Sequence, residues 1–227
     1  MKVNVIRTGK VGYGKSLEMQ KLLFDMRLKN QVGDTLILTE HAPVITFGRR
    51  GKSENVVAGQ KLLNDNGIEL YMTNRGGDVT YHGDGQLVGY FVFDIRNHSK
   101  GIKEFVWKIE EVIICYLKEI HGIDPVRGEK KYTGIWIGDR KIAAFGIFVS
   151  HWITMHGFSF NICPDMSHFK WINPCGITDK TVTSLEMETK KKIDMEEVTD
   201  RLLTVFKHVF NVETELKNAD ELVGSGV

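Results

Sequence analysis

The stretch from Lys141 to Gly176, KIAAFGIFVSHWITMHGFSFNICPDMSHFKWINPCG, constrains the fold of this chain more than any other. Lys141 opens a run of strand-forming residues, and Asn173-Pro174-Cys175-Gly176 closes the stretch. Proline fixes φ and removes a donor, so the closing tetrapeptide continues neither a helix nor a central strand. Cys175 is therefore expected on a loop, where reactive groups are commonly presented. A thiol is a nucleophile only as thiolate, and a nearby ammonium favours that form. Lys141 and Cys175 as a pair fit acyl transfer. A buried filler cysteine and an exposed edge lysine fit the same two residues.

Elsewhere the periodicity alternates between strands and amphipathic helices. Val3–Arg7, Thr35–Thr39, Val44–Phe47, Ile68–Met72 and Leu87–Phe93 read as strands, with a break at His41-Ala42-Pro43. Ser16–Leu28 reads as a helix with Leu17, Leu22, Leu23, Met26 and Leu28 toward one side, and Lys61–Asn64 as one or two helical turns. Ile102–Ile120 is the clearest helix, its apolar residues recurring every three or four positions, with Cys115 at the flank of the stripe and His121-Gly122 as the stop. Thr133–Ile137 and Lys141–Val149 form an expected hairpin about Gly138-Asp139-Arg140, and Lys141, Ala143, Phe145, Ile147 and Val149 are expected on one face. Trp152–Phe160 is a further strand, Asp165–Trp171 a short helix, and Asp194–Phe210 a helix burying Val198, Leu202, Val205, Phe206 and Val209. Strands dominate the middle without strict βα alternation, which predicts an α+β fold rather than a doubly wound sheet.

Charge excludes some functions. Thirty Lys and Arg balance 29 Asp and Glu, so nothing overall draws the chain to nucleic acid or a membrane surface. No apolar run reaches the length of a membrane-spanning helix. The N-terminus lacks the apolar core of a secretory signal. Cys115, Cys163 and Cys175 form no close-spaced framework, as expected of a reducing, cytoplasmic setting.

Two other chemistries have local support. Gly9-Lys-Val-Gly-Tyr-Gly14-Lys15-Ser16 satisfies the phosphate-loop pattern, and the apolar run ending at Asp94 mimics its magnesium-holding strand, which together point to a nucleotide hydrolase. The preceding strand carries Asn4 and Arg7, however, where a buried parallel strand is nearly all apolar. His82, His151, His156 and Cys163 have ligand chemistry but no metal-site spacing.

Four segments bear on the choice: EHAPVITFGRRG (Glu40–Gly51), RGGDVTYHGDGQLVGY (Arg75–Tyr90), GIWIGDRKIAAFGIFVSHWITMHGFSFNI (Gly134–Ile162) and INPCGITDKTVTSL (Ile172–Leu185). In this order they resemble the octanoyltransferases of lipoate biosynthesis (octanoyl-[acyl-carrier-protein]:protein N-octanoyltransferases), a likeness running from near Ile6 to near Phe210. The resemblance implies that Cys175 accepts the acyl group and that Lys141 lowers its pKa and shuttles protons. It implies substrate binding by Arg75, Gly76, Gly77, Asp78, Val79, Thr80, Tyr81 and His82, and lining by Ala144-Phe145-Gly146 and by Gly157, Phe158 and Ser159. It further implies a mixed or antiparallel central sheet with flanking helices, as in the lipoate and biotin protein ligases. A catalytic domain over 1–215 with a tail at 216–227 is expected. So are octanoyl-acyl carrier protein as donor, and lipoyl domains of 2-oxoacid dehydrogenases and glycine-cleavage H-type proteins as acceptors. No cofactor, metal, nucleic acid or membrane partner is expected. The alternative on the same fold is an ATP-dependent lipoate-type ligase, which needs no cysteine. Asp84 departs from the family's usual proline in Tyr-His-Gly-Pro-Gly-Gln and puts the rigidity and local charge of that loop in question.

Overall fold

The computed structural model describes residues 1–129, 132–173 and 180–223, so Cys175 lies outside the described residues. Strand β1 (Lys2–Val11) leads into helix α1 (Tyr13–Leu28), followed by β2 (Thr35–His41), β3 (Val44–Phe47), α2 (Gln60–Asp65), β4 (Glu69–Met72), β5 (Val79–His82) and β6 (Gln86–Val92). The long helix α3 (Ile102–His121) precedes β7 (Val126–Gly128), β8 (Gly134–Ile137), β9 (Arg140–Ser150) and β10 (Ile153–Asn161). Then come β11 (Thr181–Val182), α4 (Leu185–Thr189), α5 (Met195–Phe210), β12 (Glu213–Leu216) and α6 (Ala219–Val223).

Among the described residues the large sheet runs β12-β1-β2-β6-β10-β9-β8-β7, with β11 beside β9, and a small sheet runs β4-β3-β5. β1 is parallel to β2 and β12, whereas β2, β6, β10, β9 and β8 pair antiparallel in turn. This mixed sheet with flanking helices is the expected α+β architecture. The break at Pro43 does more than end a strand, because β2 lies in the large sheet and β3 in the small one. Gly83-Asp84-Gly85 makes the same passage between β5 and β6. The chain thus crosses between sheets twice at one place.

Helices α3 and α5 bury their apolar stripes on one face of the large sheet, where Phe91, Phe93, Phe105, Phe206 and Phe210 join one core. Gly122 ends α3 at φ 65°, and the Asp194 carboxylate caps α5 by accepting from the amides of Glu196 and Glu197. Helix α1 packs on the opposite face, but not with the expected side. It buries Tyr13, Ser16, Met19, Gln20, Leu23 and Arg27, and leaves Leu28 exposed. Two of the polar members of the buried stripe have inward partners: Gln20 Oε1 accepts from the His156 amide, and Arg27 pairs with Asp34.

Two further expectations change. The pairing of β8 with β9 shifts register, so that Ile135 faces Ala143 and Trp136 faces Lys141, leaving Ile142 as a bulge. Ala143, Phe145, Ile147 and Val149 do face the core, but Lys141 moves to the opposite face with Trp136. The expected boundary at 215/216 falls inside β12, which pairs with β1, and Ala219, Leu222 and Val223 pack against the core under α1. Those residues continue the fold rather than forming a tail.

Asp34 joins the start of β2 to the elements around it. It accepts from Arg27 Nε at 2.7 Å, from His98 Nε2 at 2.7 Å and from the Asp94 amide at 2.8 Å. Burial alone raises its pKa, but these hydrogen bonds outweigh burial and hold the carboxyl below its usual value. Since the folded value is the lower one, the stabilisation is complete above pH ~4 and is lost as pH falls through the folded value. Asp34→Ala is expected to lose about 3–5 kcal/mol at pH 7 by stranding buried Arg27 and His98. Denaturant unfolding checks this, and the gap to wild type should narrow below pH ~4.

Candidate active site

The glycine-rich segment after β4 is held in place by its own arginine. Arg75 is buried, and its guanidinium donates to the Thr46 carbonyl (2.7 Å), the Thr46 hydroxyl (3.0 and 3.1 Å) and the Gly76 carbonyl (3.0 Å). The basic loop after β3 is laced to the same segment: the amides of Gly48, Arg49 and Arg50 donate to the carbonyls of Asp78, Arg75 and Gly77. The segment then crosses β9, where the Gly76 amide donates to Ile147 O at 3.2 Å. A Cβ at Gly146 would lie 2.7 Å from the Gly76 carbonyl oxygen, so this crossing needs glycine.

The two triplets implied by resemblance face each other directly. Ala144 pairs with Ser159, Phe145 with Phe158 and Gly146 with Gly157 across β9 and β10. Together with the segment from Arg75 they border two cavities, which share Arg75, Thr80, Ala144, Phe145 and Ser159. The outer cavity reaches Lys141, Gly77 and Asp78, and the inner one reaches Tyr13, His82, Tyr90 and His156. Gly76 stands at the β9 crossing rather than among the lining residues. Phe145 and Phe158 border the cavities, while their rings belong to the core beneath α3 and α5. Alternation along β5 turns Thr80 and His82 toward the cavities and Tyr81 away, into a satellite core with Ile45, Leu63 and Ile172.

The inner cavity is walled by neutral rings. Burial lowers the pKa of His41 to about 4 and those of His82 and His156 to about 3. His41 Nε2 lies 2.7 Å from the Tyr90 hydroxyl, His82 Nδ1 donates to Gln86 Oε1 at 2.6 Å, and His156 Nε2 donates to Asn74 Oδ1 at 2.7 Å. From Gln86 a polar chain runs to the strand of Lys141. Gln86 Nε2 donates to Asn161 Oδ1 (2.9 Å), Asn161 Nδ2 donates to Thr183 O (3.0 Å), and the Thr183 amide donates to Lys141 O (2.9 Å). Asn161 and Thr183 were not among the expected site residues. Gln86 carried a signal, since it closes the Tyr-His-Gly-Asp-Gly-Gln motif; Asn161 and Thr183 carried none.

Lys141 sits where β9 leaves β10 and runs between β8 and β11, with Val182 as its partner on β11. Its Nζ lies 4.8 Å from the centroid of the Trp136 ring, and its stem passes Gly134, where a Cβ would come within 3.0 Å of Cε. The segment 174–179, with Cys175, lies outside the described residues. Its neighbours on either side are described, and the returning one, Lys180–Val182, runs beside Arg140 and Lys141. Burial, with Glu111 adding to it, raises the Cys115 thiol to about 11, and burial raises the Cys163 thiol. Both are thereby poor thiolates.

The phosphate-loop pattern has no loop to form. Gly9, Lys10 and Val11 pair with β2 inside β1, and Tyr13–Ser16 are the first turn of α1. Asp94 is engaged by Arg96 at 2.6 Å and 2.9 Å. Among the described residues no group of three His, Cys, Asp or Glu is placed to hold a metal ion, and no helix is long and apolar enough to cross a membrane. Asp84 is exposed and forms an ion pair with Lys10 at 2.5 Å, while Glu40 accepts from the Gly85 amide at 2.9 Å.

Comparison with known proteins agrees with this geometry. A sequence model of the lipoyl protein ligase A/B catalytic domain matches residues 12–207. The chain belongs to this family. It is 46% identical to the octanoyltransferase of Caldicellulosiruptor saccharolyticus, over 98% of this chain and 94% of that one. It is 44% identical to the octanoyltransferase of Desulforamulus reducens, over 99% of both. In fold it is similar to a lipoate-protein ligase A bound with ATP, with a TM-score of 0.76 at 17% identity, over 98% of this chain and 93% of that one. Within this family member, Gly146→Ala is expected to drive the Arg75–Asp78 segment off β9. Stability should fall by about 1–3 kcal/mol and octanoyl transfer by roughly tenfold or more. Gly12→Ala, which meets nothing within 4 Å, should change neither. Paired thermal melts and turnover assays check both.

Proposed function

We propose that octanoyl transfer by this chain runs through an acyl-cysteine at Cys175, with Lys141 moving the protons. The resting pair is a Cys175 thiolate and a Lys141 ammonium. The thiolate attacks the carbonyl of an octanoyl thioester carried by an acyl carrier protein. The bond to the carrier sulfur breaks, and that sulfur takes a proton from Lys141. A lysine amine of a lipoyl domain then attacks the acyl-cysteine and gives its proton to the now neutral Lys141. The thiolate leaves, and the resting pair returns. The amide product is more stable than a thioester, so the second half draws the first forward.

The observation that carries this reading is the position of Lys141. It lies at the end of a cavity bordered by Arg75, Gly77, Thr80, Ala144 and Ser159, and the strand that follows the cysteine segment runs alongside it. An arginine there would keep its charge but release no proton. The names of the curated relatives support octanoyl as the acyl group. The acyl-carrier donor, the lipoyl-domain acceptors of 2-oxoacid dehydrogenase and glycine-cleavage type, and a cytoplasmic setting belong to the same proposal.

Intact-protein mass spectrometry after mixing with octanoyl-carrier, without ATP or magnesium, should show one octanoyl group, mapped to the Cys175 peptide. Lys141→Arg should keep much of the thiolate at Cys175 but fail to pass the octanoyl group to a lipoyl domain. Octanoyl on Cys115 or Cys163, or transfer that stops when ATP is removed, contradicts the proposal and favours a ligase.

A further inference from the structure

We infer that Arg50, with Arg49 beside it, binds the phosphate of the donor's phosphopantetheine arm, an inference that rests on the reading of the donor given above. Gly48–Gly51 is a turn closed by the Gly51 amide, which donates to Gly48 O at 2.8 Å. Arg49 and Arg50 occupy its two central positions. Backbone bonds fix the turn. The amides of Gly48, Arg49 and Arg50 donate to Asp78 O, Arg75 O and Gly77 O at 3.0, 2.9 and 3.0 Å. A Cβ at Gly48 would lie 2.5 Å from the Gly77 carbonyl oxygen, so the turn rests directly on the Arg75–Asp78 segment. Both arginine side chains are left exposed.

These two guanidinium groups differ from the rest of the chain's. Every other arginine is committed to a carboxylate or, for Arg75, to the oxygens of Thr46 and Gly76. Among the described residues no side chain pairs or hydrogen-bonds with that of Arg49 or Arg50. Glu54, the nearest acidic residue in sequence, is taken by Lys52 at 3.1 Å. Arg50 borders the outer cavity, whose other described cations are Arg75 and Lys141. Arg75 is spent on the protein, and Lys141 is assigned to proton transfer. Asp78, the one carboxylate among the described lining residues, accepts from the Val79 amide at 2.7 Å and from Asn55 Nδ2 at 2.8 Å. A thioester that reacts beside Lys141 leaves its pantetheine arm in the cavity. Its phosphate falls toward the mouth, because the two amides of the arm separate phosphorus from sulfur. Arg50 is the exposed cation on that route. A guanidinium matches two phosphate oxygens with two parallel N–H donors, which an ammonium does not. A turn already held by its backbone limits what binding must order to the side chains alone.

Three donors separate the phosphate from the rest of the carrier: octanoyl-pantetheine, octanoyl-phosphopantetheine and octanoyl-carrier. Each is titrated at a fixed concentration of lipoyl domain, beside thermal melts. Wild type should half-saturate with octanoyl-phosphopantetheine at a concentration roughly tenfold below that for octanoyl-pantetheine. Arg50→Ala should raise half-saturation roughly tenfold for both phosphorylated donors and by less than about twofold for octanoyl-pantetheine, with maximal rates within about twofold. The double variant Arg49→Ala/Arg50→Ala should erase the preference for phosphate, and the wild-type preference should shrink as salt rises. Melting should not change, since neither side chain holds the fold. Lys103→Ala, exposed on α3, removes the same charge elsewhere and should alter neither donor. The inference is overturned if wild type uses the two small donors equally, or if the double variant keeps the preference. It is also overturned if the preference is lost in Lys170→Ala, at the adjoining cavity past Phe169 and Trp136, and not in Arg50→Ala. A rise in half-saturation confined to octanoyl-carrier, or to the lipoyl domain, overturns it too and assigns the arginines to a protein surface. Absence of transfer from any of the three thioesters without ATP refutes the donor reading itself, and this inference with it.

Discussion

Where the Arg75–Asp78 segment crosses β9, the Gly76 amide meets Ile147 O at 3.2 Å and Gly146 leaves no room for a side chain beneath the Gly76 carbonyl. This close contact of two backbones joins the small sheet to the large one beside the two cavities. Arg75 holds its side of the crossing through Thr46, and the amides of Gly48, Arg49 and Arg50 hold the segment from above. The buried arginine is thus a structural member of the site. Its charge is spent on three oxygens of the protein and helps keep the neighbouring histidines neutral.

A second connection runs through side chains. His82, Gln86, Asn161 and Thr183 form a continuous line of donors and acceptors that ends on the backbone of Lys141. Buried polar groups persist only where each finds its partner, and such a line fixes the relative placement of the strands that supply it. The cavity wall and the lysine at its end are therefore parts of one rigid unit.

Much of this was legible in the chain. Period-two runs marked β3 and β9, period-3.6 stripes marked α3 and α5, and four ordered motifs named the family. The errors have physical causes. Lys141 was placed on the core face because alternation counts residues, and the Ile142 bulge adds one that no pattern announces. The buried side of α1 was misread because its stripe includes Ser16, Gln20 and Arg27; β10 meets Gln20, and Asp34, just before β2, meets Arg27. Tyr81 was grouped with the substrate-binding residues by its motif, yet strand alternation turns it to the opposite face. The phosphate-loop pattern was a true match in letters that the fold divides between a strand and a helix.

The central claim is that Lys141 and Cys175 act as a pair, and the pH dependence of Cys175 alkylation tests it most directly. An isolated thiol titrates near ~8.5, and an adjacent ammonium lowers the midpoint by roughly a unit or more. Such a pair shares one proton, so the midpoint belongs to both groups. The account predicts that wild type and Lys141→Arg alkylate at Cys175 with a midpoint well below the free-thiol value, and that Lys141→Met returns the midpoint to that value or above. Equal midpoints in wild type and Lys141→Met would contradict it.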